Sequence, residues 1–514
     1  MKYFIKKQFA ILAIVIILLT GIRLIGFEKE GVTYDEPVYV QAGRDYIKAL
    51  SRLDFSQESW SFNKEHPPVT KYVYGIAEVG HIGMQKISNW GDDVSDIYTF
   101  ARLMSVLLGL GTLVYVFFLA RFYLNFWLSI LAVIVVGLNP LFIAHTRLAG
   151  HESVSLFFVT GMWYWYLLYK KTQSRKHFVI MNLHAILAFS TRFNNVLAMF
   201  PIWIWETISW WKNLSQKPNW KAKIPWVLIW LPISIWIGLF IIFPYWWTSP
   251  IESIQSTFNH WGGDPKELFF GEVRTSPLIY YLVYFTAQTP LIIISLGLFQ
   301  IISLLFRYPR YKGKELFLIA IFGIWLLWSF SPIKQGGMRY VLPLYIPFSI
   351  LVVLAIQQLL GKYKKILIGV SILIITYLGI QLRIVYPFYL DYYNEVTGGP
   401  AQIWEKNILP IGFWGQGTLE IISSLNKWVK PGESVGFYTL LMPEHKLTSF
   451  LPDKVNGIYK IDKNALFQAD WILEQSFFTD NYEPIPEYYT RVHTFYGANN
   501  APLFYLYKNH TILK

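Results

Sequence analysis

The sequence predicts a polytopic α-helical membrane protein with a small α/β domain at its C-terminal end. Three observations carry this. The 514-residue chain is 54% hydrophobic and 18% aromatic, with only 15% charged residues, where a soluble domain carries roughly 25% charge. Apolar runs long enough to cross a bilayer recur throughout residues 1–386. After Tyr386 the spanning runs stop and the composition approaches charge balance. Disorder, a small secreted scaffold and an ordinary cytosolic enzyme are excluded. The chain has no cysteine, so disulfides, thiolate metal sites and cysteine nucleophiles are excluded too.

The first element is a span. Lys2, Lys6 and Lys7 precede an apolar run that lasts to about Phe27. Gly26-Phe27-Glu28 lacks the small residues of a signal-peptide cleavage site, so the span is read as uncleaved. Ten further apolar runs lie near 101–119, 126–144, 153–169, 178–192, 195–210, 225–246, 277–306, 315–330, 341–360 and 366–386. That gives about eleven transmembrane helices.

Charge supports this count. With the N-terminus in the cytoplasm, the inner connectors are 1–8, 120–125, 170–177, 211–224, 307–314 and 361–365, which together hold 19 Lys and Arg. Residues 387–514 hold 10 Lys and Arg against 13 Asp and Glu, leaving 35 basic against 19 acidic residues for the membrane part. The net charge of +13 is therefore a positive-inside signature. No solvated basic face is left over, so no nucleic-acid partner is expected. The reading is a multi-pass plasma (inner) membrane protein with an extracytoplasmic C-terminal domain. The lack of cysteine in that domain favours a prokaryotic membrane.

The first outer loop, 28–100, is long and holds 12 of the acidic residues. Two segments in it, about Glu36–Leu53 and Pro68–Ser88, read as amphipathic helices lying on the membrane. Pro67-Pro68 suits a helix start. Outer loops at 247–276 and 331–339 follow. In the 387–514 domain, Val435–Tyr438, Trp471–Glu474, Val492–Phe495 and Leu503–Tyr507 read as strands, and Leu419–Val429 as a helix ending at Pro431-Gly432. The domain boundaries are thus 1–386 and 387–514.

Polar constellations cluster where the spans reach the outer face. Asp35-Glu36, just after the first span, places two carboxylates at a lipid interface, where charge is costly unless paired or used. One of them suits a general base that takes a proton from an acceptor hydroxyl; the plain structural alternative is a helix N-cap at Asp35. Glu65, His66 and Lys71 flank a rigid diproline at a helix start, an end that attracts phosphate; alternatively this is a solvated turn. His145, Arg147, His151 and Glu152 lie between the third and fourth spans. His151 and Glu152, with Asp35, have the chemistry to ligate a divalent metal ion, although no dedicated motif is present. A charged hairpin pairing Arg147 with Glu152 is the alternative. Lys334 and Arg339-Tyr340 flank a glycine pair, Gly336-Gly337, in an outer loop. Two cations there ask for an anion such as a lipid phosphate, or they snorkel to headgroups. Arg192, with Asn194 and Asn195, interrupts the fifth and sixth spans; it is a functional candidate inside a membrane, or marks a turn at its surface.

These pieces together resemble the GT-C glycosyltransferases of the protein O-mannosyltransferase and aminoarabinose transferase superfamily (ArnT-like, glycosyltransferase family 39-like). The resemblance rests on Asp35-Glu36, His66-Pro67-Pro68 with Lys71, Ala101-Arg102-Leu103, Arg147 to Glu152, and Lys334 followed by Arg339-Tyr340-Val341-Leu342-Pro343. In the tail, Tyr392-Tyr393-Asn394, Gly398-Gly399-Pro400 and Trp414-Gly415-Gln416-Gly417 are similar to prokaryotic members. The resemblance implies a GT-C fold, a polyprenyl-phosphate sugar donor and inversion at the anomeric carbon. It implies Asp35 as the catalytic carboxylate and Glu36 as its companion. It places Glu65, His66, Lys71, Lys334, Arg339 and Tyr340 in the donor-phosphate region. Glu152 stands where relatives usually have aspartate, and Arg192 where many have lysine, so the metal geometry and the phosphate fork differ from theirs. The acceptor, whether protein, glycan or lipid, is left open. The rival is a transporter or lipid-linked sugar flippase, which predicts charges at the bilayer midplane and repeated halves. The acidic pairs at the outer rim and the lack of repeats favour the transferase.

Overall fold

The computed structural model describes residues 2–87, 98–216, 225–259, 266–306, 314–332, 334, 336–439, 451–459, 462–476 and 484–511. Ser88, Ile333, Gln335 and parts of the expected basic connectors (217–224 and 307–313) lie outside the described residues.

Each predicted apolar run coincides with helix. The first span is α1 (Lys2–Leu24). The segment after it then supplies the two expected amphipathic helices, α2 (Glu36–Ser51) and α3 (Val69–Ile87). Next come α4 (Thr99–Ala120), α5 (Phe126–Gly137), α6 (Pro140–His145), α7 (His151–Thr172), α8 (Arg175–Phe189), α9 (Phe200–Gln216) and α10 (Trp226–Ile242). The second outer loop contributes α11 (Pro250–Asn259) and a hairpin of β1 (Lys266–Phe269) and β2 (Glu272–Thr275). The remaining membrane helices are α12 (Tyr280–Gln288), α13 (Leu291–Phe306), α14 (Lys314–Leu326), α15 (Tyr345–Leu360) and α16 (Lys364–Val385).

Among the described residues, four stretches are long and apolar enough to cross a bilayer on their own: Lys7–Leu24, Thr99–Ala120, Gly337–Leu360 and Lys364–Val385. Other runs are broken, and the sequence explains where. The Asn139 side chain accepts from Phe142 N at 3.0 Å, and Pro140 occupies the first turn, so a new helix starts there. Pro290, which lacks an N–H, separates α12 from α13.

The helices α2 and α3 touch backbone to backbone through Gly43 and Gly75. A Cβ at Gly43 would stand 2.6 Å from Gly75 N, so only glycine permits this approach. The pair fixes the start of α2 beside the start of α3.

The tail has three further helices, α17 (Gly399–Glu405), α18 (Thr418–Ser424) and α19 (Lys463–Leu466), and a five-stranded sheet. Its strands are β3 (Ser434–Tyr438), β4 (Asn456–Tyr459), β5 (Trp471–Gln475), β6 (Tyr489–Tyr496) and β7 (Pro502–Asn509), in the order β4-β3-β5-β7-β6. The four expected strands are present. β4 is an addition that pairs parallel with β3. The expected helix 419–429 is shorter, with a 3-10 turn at Leu425–Lys427 taking over after Ser424.

The segment between Tyr386 and the sheet packs back onto the membrane helices. Asn394 Nδ2 donates to Thr286 O at 2.6 Å and Thr289 O at 2.8 Å at the end of α12. Tyr34 N donates to Trp414 O at 3.0 Å, and Gly417 N to Glu30 O at 2.8 Å. The first outer loop and the tail are therefore held together at the site described next.

Candidate active site

Asp35 opens α2 in the N-cap position, but its side chain makes no cap hydrogen bond. Its carboxylate instead accepts from Arg339 Nη2 and, at 3.4 Å, from Tyr39 OH one turn further on. Arg339 comes from a 3-10 segment (Gly337–Leu344) that follows Gly336 and Gly337, both at positive φ, where other residues are strained. Its Nε donates to Glu152 Oε1 at 2.6 Å. Arg192 Nη2 reaches the same oxygen at 2.9 Å. The result is an alternating chain, Asp35–Arg339–Glu152–Arg192, assembled from α2, the turn before α15, the first turn of α7 and the turn after α8.

Exposure grades along this chain. The Asp35 side chain is 14% exposed and Arg339 10%, against 2% for Glu152 and 3% for Arg192. Asp35 is the carboxylate with access to an incoming molecule. Arg339 lies over the Trp414 ring at 4.3 Å, and Arg192 over the Tyr340 ring at 4.6 Å. Tyr340 also accepts from Asn194 Nδ2 at its carbonyl, 3.0 Å away. These contacts lock the two guanidinium planes.

Glu36 does something different. It is buried, and accepts from Arg102 Nε at 2.7 Å and Nη2 at 2.6 Å, from Thr33 N and Oγ1 at 3.2 and 2.9 Å, and from Ala149 N at 3.0 Å. Burial opposes its charge, but Arg102 and the two backbone N–H groups outweigh it and hold the carboxyl below its ordinary range. A carboxylate committed to five donors is an anchor. The structure gives Glu36, expected as the companion of Asp35, this anchoring place beside it.

Three expectations change. Arg147 pairs with Glu30, not Glu152, and its guanidinium also reaches Pro387 O, so it joins the first outer loop to the tail. Lys71 turns inward. It is fully buried and donates to Tyr46 OH at 3.2 Å, His66 O at 2.8 Å and Asn63 O. Burial pushes its ammonium down to about 7. Its role in this geometry is to hold the 63–66 turn, where Glu65 accepts from Asn63 Nδ2 at 2.6 Å. Lys334 Nζ donates to Ser331 O at 2.7 Å within its own loop, and its carbonyl accepts from Ser276 Oγ at 2.8 Å.

His66 and His151 meet edge to face with ring centroids 4.7 Å apart, and Tyr39 packs on His151 at 4.2 Å. His151 Nδ1 lies 2.7 Å from Thr70 Oγ1. Burial, with Arg192 and Lys71 adding to it, keeps His66 well below its ordinary range and so neutral. The donor set does not fit a divalent ion. Two guanidinium groups already share Glu152 Oε1, and one of them bridges to Asp35. Among the described residues no three His, Asp or Glu side chains converge on one point.

A polar cavity of about 50 Å³ lies on the far side of Trp414, between the membrane helices and the tail; His145, Glu267, Gln288, Asp391 and Gln416 help line it. Burial raises Glu267 and Asp391 each to about 7. Asp391 Oδ1 accepts from Gly412 N at 2.9 Å and Gln416 Nε2 at 3.0 Å. Asp391 Oδ2, Gln288 Oε1 and His145 Nδ1 have no hydrogen-bond partner among the described residues. The cavity has room for roughly four water-sized groups. Glu267 also holds the turn that carries Arg339, because its Oε1 accepts from Gly336 N at 2.6 Å.

Sequence reasoning missed Tyr39, Glu267 and Asp391. Nothing local marks them: Glu267 lies in a short strand and Asp391 in a 3-10 turn (Tyr389–Asp391).

The comparisons agree with this architecture. Residues 95–237 match the family model described as dolichyl-phosphate-mannose-protein mannosyltransferase. No curated protein matches the sequence. The crystal structure of ArnT from Cupriavidus metallidurans in the apo state superposes with a TM-score of 0.53, at 13% identity, over 97% of each chain. The same enzyme bound to undecaprenyl phosphate gives 0.51, at 13% identity, over 98% of each chain. The Saccharomyces cerevisiae Pmt1–Pmt2 complex bound to the sugar donor gives 0.38, at 14% identity, over 53% of this chain and 40% of that one. The fold is GT-C-like, and the resemblance to the superfamily of ArnT and the protein O-mannosyltransferases holds.

Proposed function

We propose that this chain is a membrane glycosyltransferase of that superfamily, moving a sugar from a polyprenyl-phosphate donor to an acceptor hydroxyl on the extracytoplasmic side. The observation that carries the reading is Asp35, the most exposed carboxylate of the cluster, held against Arg339 at the rim where the membrane helices meet the tail. The match to a mannosyltransferase model and the likeness to a protein crystallised with undecaprenyl phosphate support the donor class. The acceptor is a protein, glycan or lipid.

The reaction is a single displacement. The acceptor oxygen forms a bond to the anomeric carbon, the bond from that carbon to the lipid phosphate breaks, and the acceptor proton passes to Asp35. The leaving phosphate gains negative charge. Arg339 is the cation placed beside Asp35 to receive it, and Arg192 stands behind it through Glu152. Losing one such positioned donor costs ~3 kcal/mol of transition-state stabilisation. Glu152 keeps the two guanidinium groups apart and aimed. No step is assigned to a metal ion. In this reading the N-terminus is cytoplasmic, the sheet domain extracytoplasmic, and the membrane the plasma membrane.

Donor turnover tests the proposal. Purified wild type and Asp35→Asn are incubated with a panel of polyprenyl-phosphate sugars, and loss of the lipid-linked sugar is followed by mass spectrometry. Turnover by wild type alone is the expected result and names the sugar. Equal turnover by both proteins removes Asp35 as the base.

A further inference from the structure

We propose that the pocket at the opposite ends of α4 and α7 from Asp35 binds the phosphate headgroup of an anionic glycerophospholipid. Arg121 caps the C-terminal end of α4, and Lys170 and Lys171 lie in the last turn of α7. All three line one pocket of about 400 Å³, whose walls include Tyr123, Leu167, Trp205 and Phe317. Lys170 is paired with Glu206 at 2.8 Å. Arg121 and Lys171 have no ion-pair partner among the described residues; Arg121 spends one N–H on Leu124 O at 2.6 Å. The Tyr123 hydroxyl is buried there without a hydrogen-bond partner among the described residues.

Cations at helix C-terminal ends are favourable in themselves, and connectors on the cytoplasmic side are basic by topology. Neither accounts for a cleft. Here two cations with no ion-pair partner among the described residues line the same space, and most of the rest of the wall is aromatic and aliphatic. That combination suits a phosphate with a glycerol and acyl chains attached. Basic pockets between membrane helices on the cytoplasmic side bind anionic headgroups in this way. The aromatic wall argues for a lipid rather than free phosphate, which gains nothing from it. The inference stands apart from the transferase reading, since it uses none of its residues.

The test uses the full chain in mild detergent. Native mass spectrometry follows retention of phosphatidylglycerol against phosphatidylcholine, for wild type and for Arg121→Gln/Lys171→Gln. Wild type is expected to retain phosphatidylglycerol preferentially, and the double variant to bind it about thirtyfold more weakly, the effect of two basic side chains. Thermal midpoints without lipid check that the variant is folded; Lys171→Gln alone, on an exposed position, serves if the double variant is not. Equal retention of both lipids by wild type, or undiminished phosphatidylglycerol binding by the folded variant, overturns the proposal. Inorganic phosphate that displaces the lipid at equal concentration overturns the choice of a lipid.

Discussion

Replacing Glu36 by glutamine separates an anchor from a catalyst. Glu36 Oε1 accepts from Arg102 Nε and Ala149 N, and Oε2 from Arg102 Nη2 and both Thr33 groups. Whichever way a glutamine amide turns, its NH₂ meets donors. Arg102 keeps one bond to the amide oxygen and those to the Phe27 and Gly31 carbonyls, but is left buried without the Glu36 counter-charge. Removing one partner of a buried ion pair costs ~3–5 kcal/mol. Glu36→Gln should therefore lower the unfolding midpoint strongly, and Arg102→Met similarly. The double variant Glu36→Leu/Arg102→Met should recover the part due to the stranded charge. It should not recover the part due to the Ala149 and Thr33 N–H groups, which still lack an acceptor. Asp35→Asn should behave oppositely. Its pair with Arg339 is partly exposed, and such pairs contribute ~0–1 kcal/mol, so stability holds while turnover falls. The assay is thermal unfolding in detergent, with donor turnover normalised to folded protein. A Glu36→Gln protein as stable as wild type yet inactive would refute the reasoning and return Glu36 to the chemistry.

Arg339→Gln should lower kcat by ~10²–10³, and Arg339→Lys should recover only part of it, because an ammonium cannot bridge Asp35 and Glu152 as a fork; full activity in Arg339→Lys would show that charge alone suffices. Asp391 and Glu267 are raised to about 7, so the folded state binds more protons than the unfolded one between about pH 4 and 7. The stability they contribute is full below their unfolded values and lost as pH rises through about 7. Asp391→Asn should flatten part of that slope and be more stable than wild type at pH 8, measured as unfolding midpoints across pH; an unchanged slope would contradict this. Gly75→Val inserts a side chain where the Gly43 backbone lies, and should cost ~1–3 kcal/mol or more with loss of turnover, since α2 carries Asp35. Normal stability of that variant would show that α2 and α3 can separate at no cost.

Much of this was legible because it is periodic or local. Every apolar run read from hydropathy coincides with helix, and four of the five tail strands were read from the sequence. Asp35, Arg339, Arg192 and Glu152 were all picked from the outer rim, and all four converge. What sequence could not supply was direction. Asp35 and Glu36 are neighbours in the chain, but consecutive residues on a helix point to different faces. One meets the rim and the other the core, where its partner Arg102 lies 66 residues away. Lys71 carries the charge expected at a phosphate, but its long stem turns toward the carbonyls of the turn it follows. Arg147 sits five residues from Glu152, yet Arg192 and Arg339 take that carboxylate. Glu267 and Asp391 gave no signal, because burial against distant helices is what makes them unusual.

The tail reaches the candidate site through Arg339. This guanidinium has carboxylates on two sides and needs a third surface to fix its plane, and Trp414 supplies it. Trp414 is in turn tied to the first outer loop through its carbonyl and Tyr34 N. The turn that carries Arg339 is steadied from the other direction by Glu267, through Gly336 N. Asp35 and Arg339 therefore each rest on a segment outside the eleven apolar runs, and both supports meet at the same tryptophan. A carboxylate at a membrane rim is ordinarily mobile and hydrated. Here the outer loop, the turn before α15 and the tail meet around it, so the tail borders the candidate site.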